Sequence, residues 1–168
     1  MKRYISTVLL LCFIILTGCG TQDASGYADP VYFYFPREDI DLYNHKESLS
    51  YEIYEGSQFA NEIDLIQTYF EGPERHDLYS PFPAEGEVLD SMIAGNRIRI
   101  TLSAHFNRLI GLQLTIATSC LALTLLSSGD FSAVEINILA DDGTVARSFS
   151  LSQDNIVLTD SYVALPSE

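Results

Sequence analysis

Tryptophan is absent from this 168-residue chain, methionine occurs twice and cysteine three times. So few cysteines exclude the dense disulfide framework that small exported domains use when their core is too small to hold them. Cations are scarce too: nine Lys and Arg stand against 23 Asp and Glu, a formal net charge of −14. That balance excludes binding of nucleic acid or an anionic bilayer by charge attraction. The hydrolase signatures G-x-S-x-G, H-E-x-x-H and S-x-x-K do not occur. His45, His76 and His105 are scattered, and His76-Asp77 near Ser80 is the one local Ser/His/Asp grouping. Triads are assembled by folding rather than by adjacency, so no catalytic residue is expected. Glu38, Asp39 and Asp41 lack the spacing and the glycine of a calcium loop, which leaves a solvated acidic loop and no metal site. No cofactor is expected either.

Charge is also missing from "LIGLQLTIATSCLALTLLSSG" (109–129). A second membrane span is one reading of that run. Gln113, Thr115, Thr118, Ser119, Thr124 and Ser127 interrupt it, and no aromatic or basic anchor follows, so a helix buried inside the domain is expected. Cys120 lies in this run with no charged residue between Arg108 and Asp130. A small core side chain is therefore expected there, in preference to a reactive thiol.

At the other end of the chain, Lys2 and Arg3 precede an apolar run from Tyr4 to Leu16. Thirteen helical residues reach only about 20 Å, short of the ~30 Å hydrocarbon layer, which is the anatomy of a secretory signal peptide. Cys19 sits where this run gives way to small polar residues. The stretch Leu16-Thr17-Gly18-Cys19 resembles the lipobox of bacterial lipoprotein signals. That resemblance implies removal of residues 1–18 and a diacylglycerol on the Cys19 thiol, which becomes the mature N-terminus. The mature chain would keep 150 residues, with seven basic against 23 acidic side chains, a length suited to one domain. Acyl chains would then anchor it to the cell membrane on the extracytoplasmic face. Residues 19–29 read as the lipidated terminus and a polar tether, 30–152 as the folded domain, and 153–168 as a C-terminal extension with a possible edge strand.

Within the domain, "VYFYF" (31–35) is β-branched and aromatic, and "LSYEIYE" (49–55) alternates, so both read as strands. "SQFANEIDLIQTYFEGP" (57–73) reads as a helix with Ser57 as its cap, a stripe of Phe59, Ile63, Ile66 and Phe70, and a stop at Gly72-Pro73. "VLDSMI" (88–93) and "RIRITLS" (97–103) form a hairpin around Gly95-Asn96. On its polar face Arg97 and Arg99 are expected to partner carboxylates rather than to bind an anion. After the uncharged helix, 133–140 and 144–152 form a second hairpin in which Asp141 and Asp142 serve the turn. The order β-β-α-β-β-α-β-β implies an α+β two-layer fold, two helices on one face of a mixed or antiparallel sheet.

Read in order, "VYFYF", the helix end "YFEGP", Ser80-Pro81-Phe82-Pro83 with Gly86, and Leu102-Ser103-Ala104-His105-Phe106 resemble the GerMN domain of sporulation and spore-germination lipoproteins. The resemblance covers roughly residues 30–140. It implies a non-catalytic interaction or assembly module of the cell envelope, similar in fold to ring-building modules. Its partners would be envelope proteins or further copies of itself. The family's sporulation lipoproteins can carry two such modules, whereas one is present here. The other readings are a small envelope hydrolase and a ligand-binding lipoprotein. If tyrosine rings lie on the outer face of the sheet, Tyr32, Tyr34 and Tyr54 are the candidate interaction surface; the same rings could instead be packed beneath the tail.

Overall fold

In a computed structural model, residues 30–38 and 48–156 are described. The bulky run at 31–36 becomes β1 (Val31–Pro36) and pairs antiparallel with β2 (Leu49–Tyr54), with Tyr34 opposite Tyr51. A 3-10 turn at Gly56–Gln58 takes up Ser57, so this residue is not the helix cap expected from the sequence. Helix α1 (Glu62–Phe70) starts instead at Asn61, whose side chain accepts the Asp64 amide at 3.0 Å. Asp64 returns the favour by accepting the Ala60 amide at 2.9 Å. This reciprocal pair satisfies first-turn donors and places acidic side chains at the positive end of the helix. The later start rotates the buried face to Leu65, Ile66 and Tyr69, leaving Ile63 exposed. The stop is as the sequence indicates. Gly72 adopts φ +96°, a left-handed conformation that costs glycine little, and its amide caps Tyr69 O at 3.3 Å.

The second half of the domain is a four-stranded sheet, ordered β3 (Val88–Ala94), β4 (Arg97–Leu102), β5 (Ala133–Leu139) and β6 (Val145–Leu151). β3–β4 and β5–β6 are the two expected hairpins, and β4 and β5 run parallel between them. A parallel pair needs a crossover, and α2 (Leu112–Ser128) supplies it. The register Ile98↔Val134, Ile100↔Ile136 and Leu102↔Ile138 stacks six aliphatic side chains, all buried, at the centre of the sheet. The class is therefore α+β, as expected, with the strands divided between two ladders, β1–β2 and β3–β6.

Helix α2 begins three residues later than the uncharged run, and its first turns are open to solvent. From Ala117 to Leu126 every residue is buried. Among the described residues no helix is long and apolar enough to cross a membrane. Its hydroxyls explain how it can be buried without being uniformly apolar. Thr118 donates to Leu114 O at 2.9 Å and Ser128 to Leu125 O at 2.9 Å, each satisfied within its own helix. Thr124 and Ser127 do more. Thr124 Oγ1 accepts the Tyr34 amide at 3.1 Å, and Ser127 Oγ donates to Tyr32 O at 3.5 Å. On the same side of β1, the Tyr69 hydroxyl donates to Tyr34 O, and the Tyr79 amide donates to Pro36 O at 3.0 Å.

Aromatic rings fill the space that tryptophan would take elsewhere. Phe33 and Phe35 each lie 4.8 Å from the Tyr69 ring, Tyr69 lies 4.9 Å from Phe82, and Phe70 bridges Phe82 at 4.6 Å and Phe106 at 5.4 Å. Gly86 packs against this chain of rings so closely that a Cβ there would meet the Phe106 ring at 2.8 Å and Pro83 O at 2.9 Å.

Two substitutions test these contacts by chemical denaturation. Thr124→Val keeps the shape but orphans the buried Tyr34 amide, and is expected to cost about 1–3 kcal/mol, against less than about 1 kcal/mol for Ser127→Ala at its longer bond. Gly86→Ala must displace Phe106 or a backbone carbonyl, with an expected loss of about 1–3 kcal/mol.

Candidate functional site

The loop that follows α1 is held by a carboxylate. Glu52 on β2 is buried, and its Oε1 accepts the Arg75 amide at 2.7 Å while its Oε2 accepts the Glu74 amide at 3.2 Å. Tyr54 also donates to Oε2, at 3.1 Å. The Arg75 guanidinium then bonds Ser50 Oγ at 3.1 Å and Asp77 at 2.6 Å, and beside it the Asp77 carboxyl is held below its ordinary pKa. These bonds press residues 74–77 onto the β2 edge. They fix where the next segment, 79–82, can lie.

That segment faces the open first turns of α2. Tyr79, Ser80, Pro81 and Phe82 on one side, with Leu109, Gln113 and Ile116 on the other, enclose a cleft of about 270 Å³. The lining carries no charge. Its polar groups are the Tyr79 hydroxyl, the Ser80 hydroxyl, which accepts the Phe82 amide at 3.4 Å, and the Gln113 amide. Burial raises the Tyr79 pKa above its ordinary value. Ile110 and Leu112, 67% and 53% exposed, follow Leu109 in sequence beside the cleft.

Cys19 and His45 lie outside the described residues. Of the three tyrosines, Tyr34 is a correction: it is fully buried, and cannot anchor a partner on an open face. Directly opposed to Tyr51 in the ladder, it turns its ring into the interior, 5.7 Å from the Tyr51 ring. Its hydroxyl has no hydrogen-bond partner there. Tyr32 is half-buried, edge-on to Tyr51 at 5.1 Å. Tyr54 is half-buried as well, its hydroxyl bound to Glu52 and its ring 4.4 Å from Phe33. Alternation along a strand could not separate these outcomes, because aromatic residues occupy both faces of β1.

His76 is exposed, and among the described residues no hydrogen bond joins it to Asp77 or Ser80. His105 Nδ1 instead meets Glu85 O, and Arg108 bonds the Glu85 carboxylate at 2.7 Å, holding that acid below its ordinary pKa. Cys120 is fully buried, and burial pushes its thiol far up. Arg99 bonds Glu135 at 2.7 Å across the β4–β5 pair, with Arg97 at 3.8 Å from the same carboxylate, the structural role expected of them. Among the described residues no cluster of three His, Cys, Asp or Glu could hold a metal ion.

Buried phenols give the domain an alkaline limit. Burial, then Tyr51 and Tyr32, raise Tyr34 from 10 to about 12; burial and the Glu52 bond raise Tyr54 to about 12. The unfolded chain releases these protons near pH 10 while the folded chain retains them. Stability is therefore full below pH 10 and declines from 10 toward 12. Thermal unfolding followed across that window should show the fall, and Tyr54→Phe should make it shallower.

No protein-family model matches the sequence, and no curated protein matches it. Two solved structures are similar to it. One is the tandem GerMN domains of the sporulation protein GerM from Bacillus subtilis, at 16% identity and a TM-score of 0.45 over 80% of this chain. The chain spans about half, 47%, of that structure. The other, from Clostridium perfringens and described as a lipoprotein, has 17% identity and a TM-score of 0.41, and the match covers 80% of this chain and 93% of that one.

Proposed function

We propose that the chain is a lipoprotein of the bacterial envelope, anchored through Cys19, whose GerMN-like α+β domain is a non-catalytic interaction module. The observation that carries the reading is the placement of apolar side chains in solvent on an otherwise acidic protein. Leu89, Met92 and Ile93 on β3, and Ile110 and Leu112 at the start of α2, are each about half exposed or more. Exposed apolar clusters of this kind mark contact surfaces. A lipid at the N-terminus supports the same reading, since it would confine the domain to a membrane surface where partners are concentrated. The sequence resemblance points to sporulation or spore germination as the setting. A second reading, a ligand-binding lipoprotein, is favoured by the uncharged cleft between residues 79–82 and α2.

Cys19→Ser should shift the protein from the membrane fraction to the uncleaved precursor or the medium; retention in the membrane at mature size contradicts the anchor. In native-envelope crosslinking, Ile110→Glu and Leu112→Glu should weaken partner capture by about tenfold or more. His76→Ala and His105→Ala should leave the phenotype intact. Loss of function from His76→Ala with an unchanged circular dichroism spectrum turns the reading to an enzyme.

A further inference from the structure

The four-stranded sheet has two free edges that differ in kind. Beside β6, the Asn155 side chain donates to Ser150 O at 3.1 Å, and Arg147 reaches across to Leu109 O at 2.9 Å. β3 has nothing comparable. Among the described residues its ladder is with β4 alone. It carries neither lysine nor proline, the usual guards of an edge, and its only irregularity is a bulge between Val88 and Asp90. Leu89, Met92 and Ile93 are 47%, 53% and 48% exposed. Such an edge is a template for another strand.

We infer that β3 pairs antiparallel with β3 of a second copy of this chain, about a two-fold axis at Ser91. The inference rests on the interaction-module reading and names one of its surfaces and its occupant. Charge chooses that occupant. Asp90 is the only charged residue of β3. Pairing about Ser91 sets it opposite Met92 of the second copy, so the two Asp90 carboxylates do not face each other. Met92 is itself the β4 neighbour of Arg99, and Arg99 is the β5 neighbour of Glu135. On this face the two guanidiniums of Arg97 and Arg99 share the single carboxylate of Glu135, at 3.8 and 2.7 Å. Asp90 of the second copy supplies a second carboxylate about two strand spacings from Arg99, roughly 10 Å between backbones, a gap that the two side chains span. On either side of Ser91, Leu89 falls opposite Ile93, covering apolar surface that each copy alone leaves in water. The arrangement is isologous and closed: each strand gives the other what it receives.

The test uses the full chain in mild detergent. Residues opposed on an antiparallel pair lie about 4.5–5.5 Å apart at Cα, within disulfide range. Ser91→Cys should therefore form a disulfide-linked dimer under mild oxidation, well above the unsubstituted chain, while Ala146→Cys on β6 should not. In sedimentation, the double substitution Met92→Lys with Ile93→Lys should weaken self-association by about tenfold or more while leaving circular dichroism unchanged. Equal crosslinking at Ala146→Cys, which indicates an open β3–β6 array, overturns the two-fold pairing. So does a chain that stays monomeric at all working concentrations. If that monomer still captures another envelope protein, the interaction-module reading stands and this inference alone fails. If the dimer forms but His76→Ala abolishes function, the dimer stands and the module reading fails.

Discussion

A strand with one neighbour has a second edge, and the interior of this domain is built around satisfying that of β1. Its ladder with β2 uses one set of backbone groups. The groups of Tyr32, Tyr34 and Pro36 turn the other way, into a region with no further strand. A buried amide or carbonyl left without a partner costs about 1–3 kcal/mol. Four side-chain or backbone groups remove that cost: Ser127, Thr124, the Tyr69 hydroxyl and the Tyr79 amide. Two of them come from α2, one from α1 and one from the segment that lines the cleft. Each element is held against β1 by a directed bond as well as by apolar contact.

This constraint explains the composition of α2. A helix buried between ladders could be made of leucine and alanine alone if both ladders had paired edges. Here the chain needs hydroxyls at Thr124 and Ser127, facing the edge of β1, and it keeps charge away because a buried ion would find no counter-ion there. An uncharged run punctuated by hydroxyls is the outcome. The same pattern makes the run resemble a membrane span, and the hydroxyls mark the difference: each that is buried needs an acceptor, which a neighbouring strand supplies and a hydrocarbon layer does not.

The elements legible from sequence were those whose determinants are local. The end of α1 at Gly72-Pro73, the hairpin at Gly95-Asn96 and the Asp142 turn each rest on residues within a few positions of one another, and each is where the pattern puts it. The start of α1 was not, because Ser57 and Asn61 are both good caps and the choice between them depends on Phe59 packing against Phe33 from β1. The burial of Tyr34 was equally hidden. Its neighbours in sequence are also aromatic, so alternation gives no inward or outward sense, and the deciding contacts come from residues 51, 69 and 124. The quoted motif pieces did come together in space: Gly86 lies against Phe106, and Glu87 and Ser103 exchange two bonds, at 3.0 and 3.2 Å.

The two halves of the domain treat their edges in opposite ways. β1 hides its second edge beneath two helices and a returning segment, and residues 74–79 are secured there by Glu52. β3 leaves its edge in water, with apolar side chains on it and one acid. Covering an edge requires hydroxyls, a buried carboxylate and an arginine, all of which this chain spends around β1. An equally protected β3 would need only a lysine or a proline, and neither occurs in "VLDSMIA". Because protection at β3 would take so little, its absence there agrees with an edge that meets a partner. The buried edge gives the fold its rigidity, and the open one gives it a surface to use.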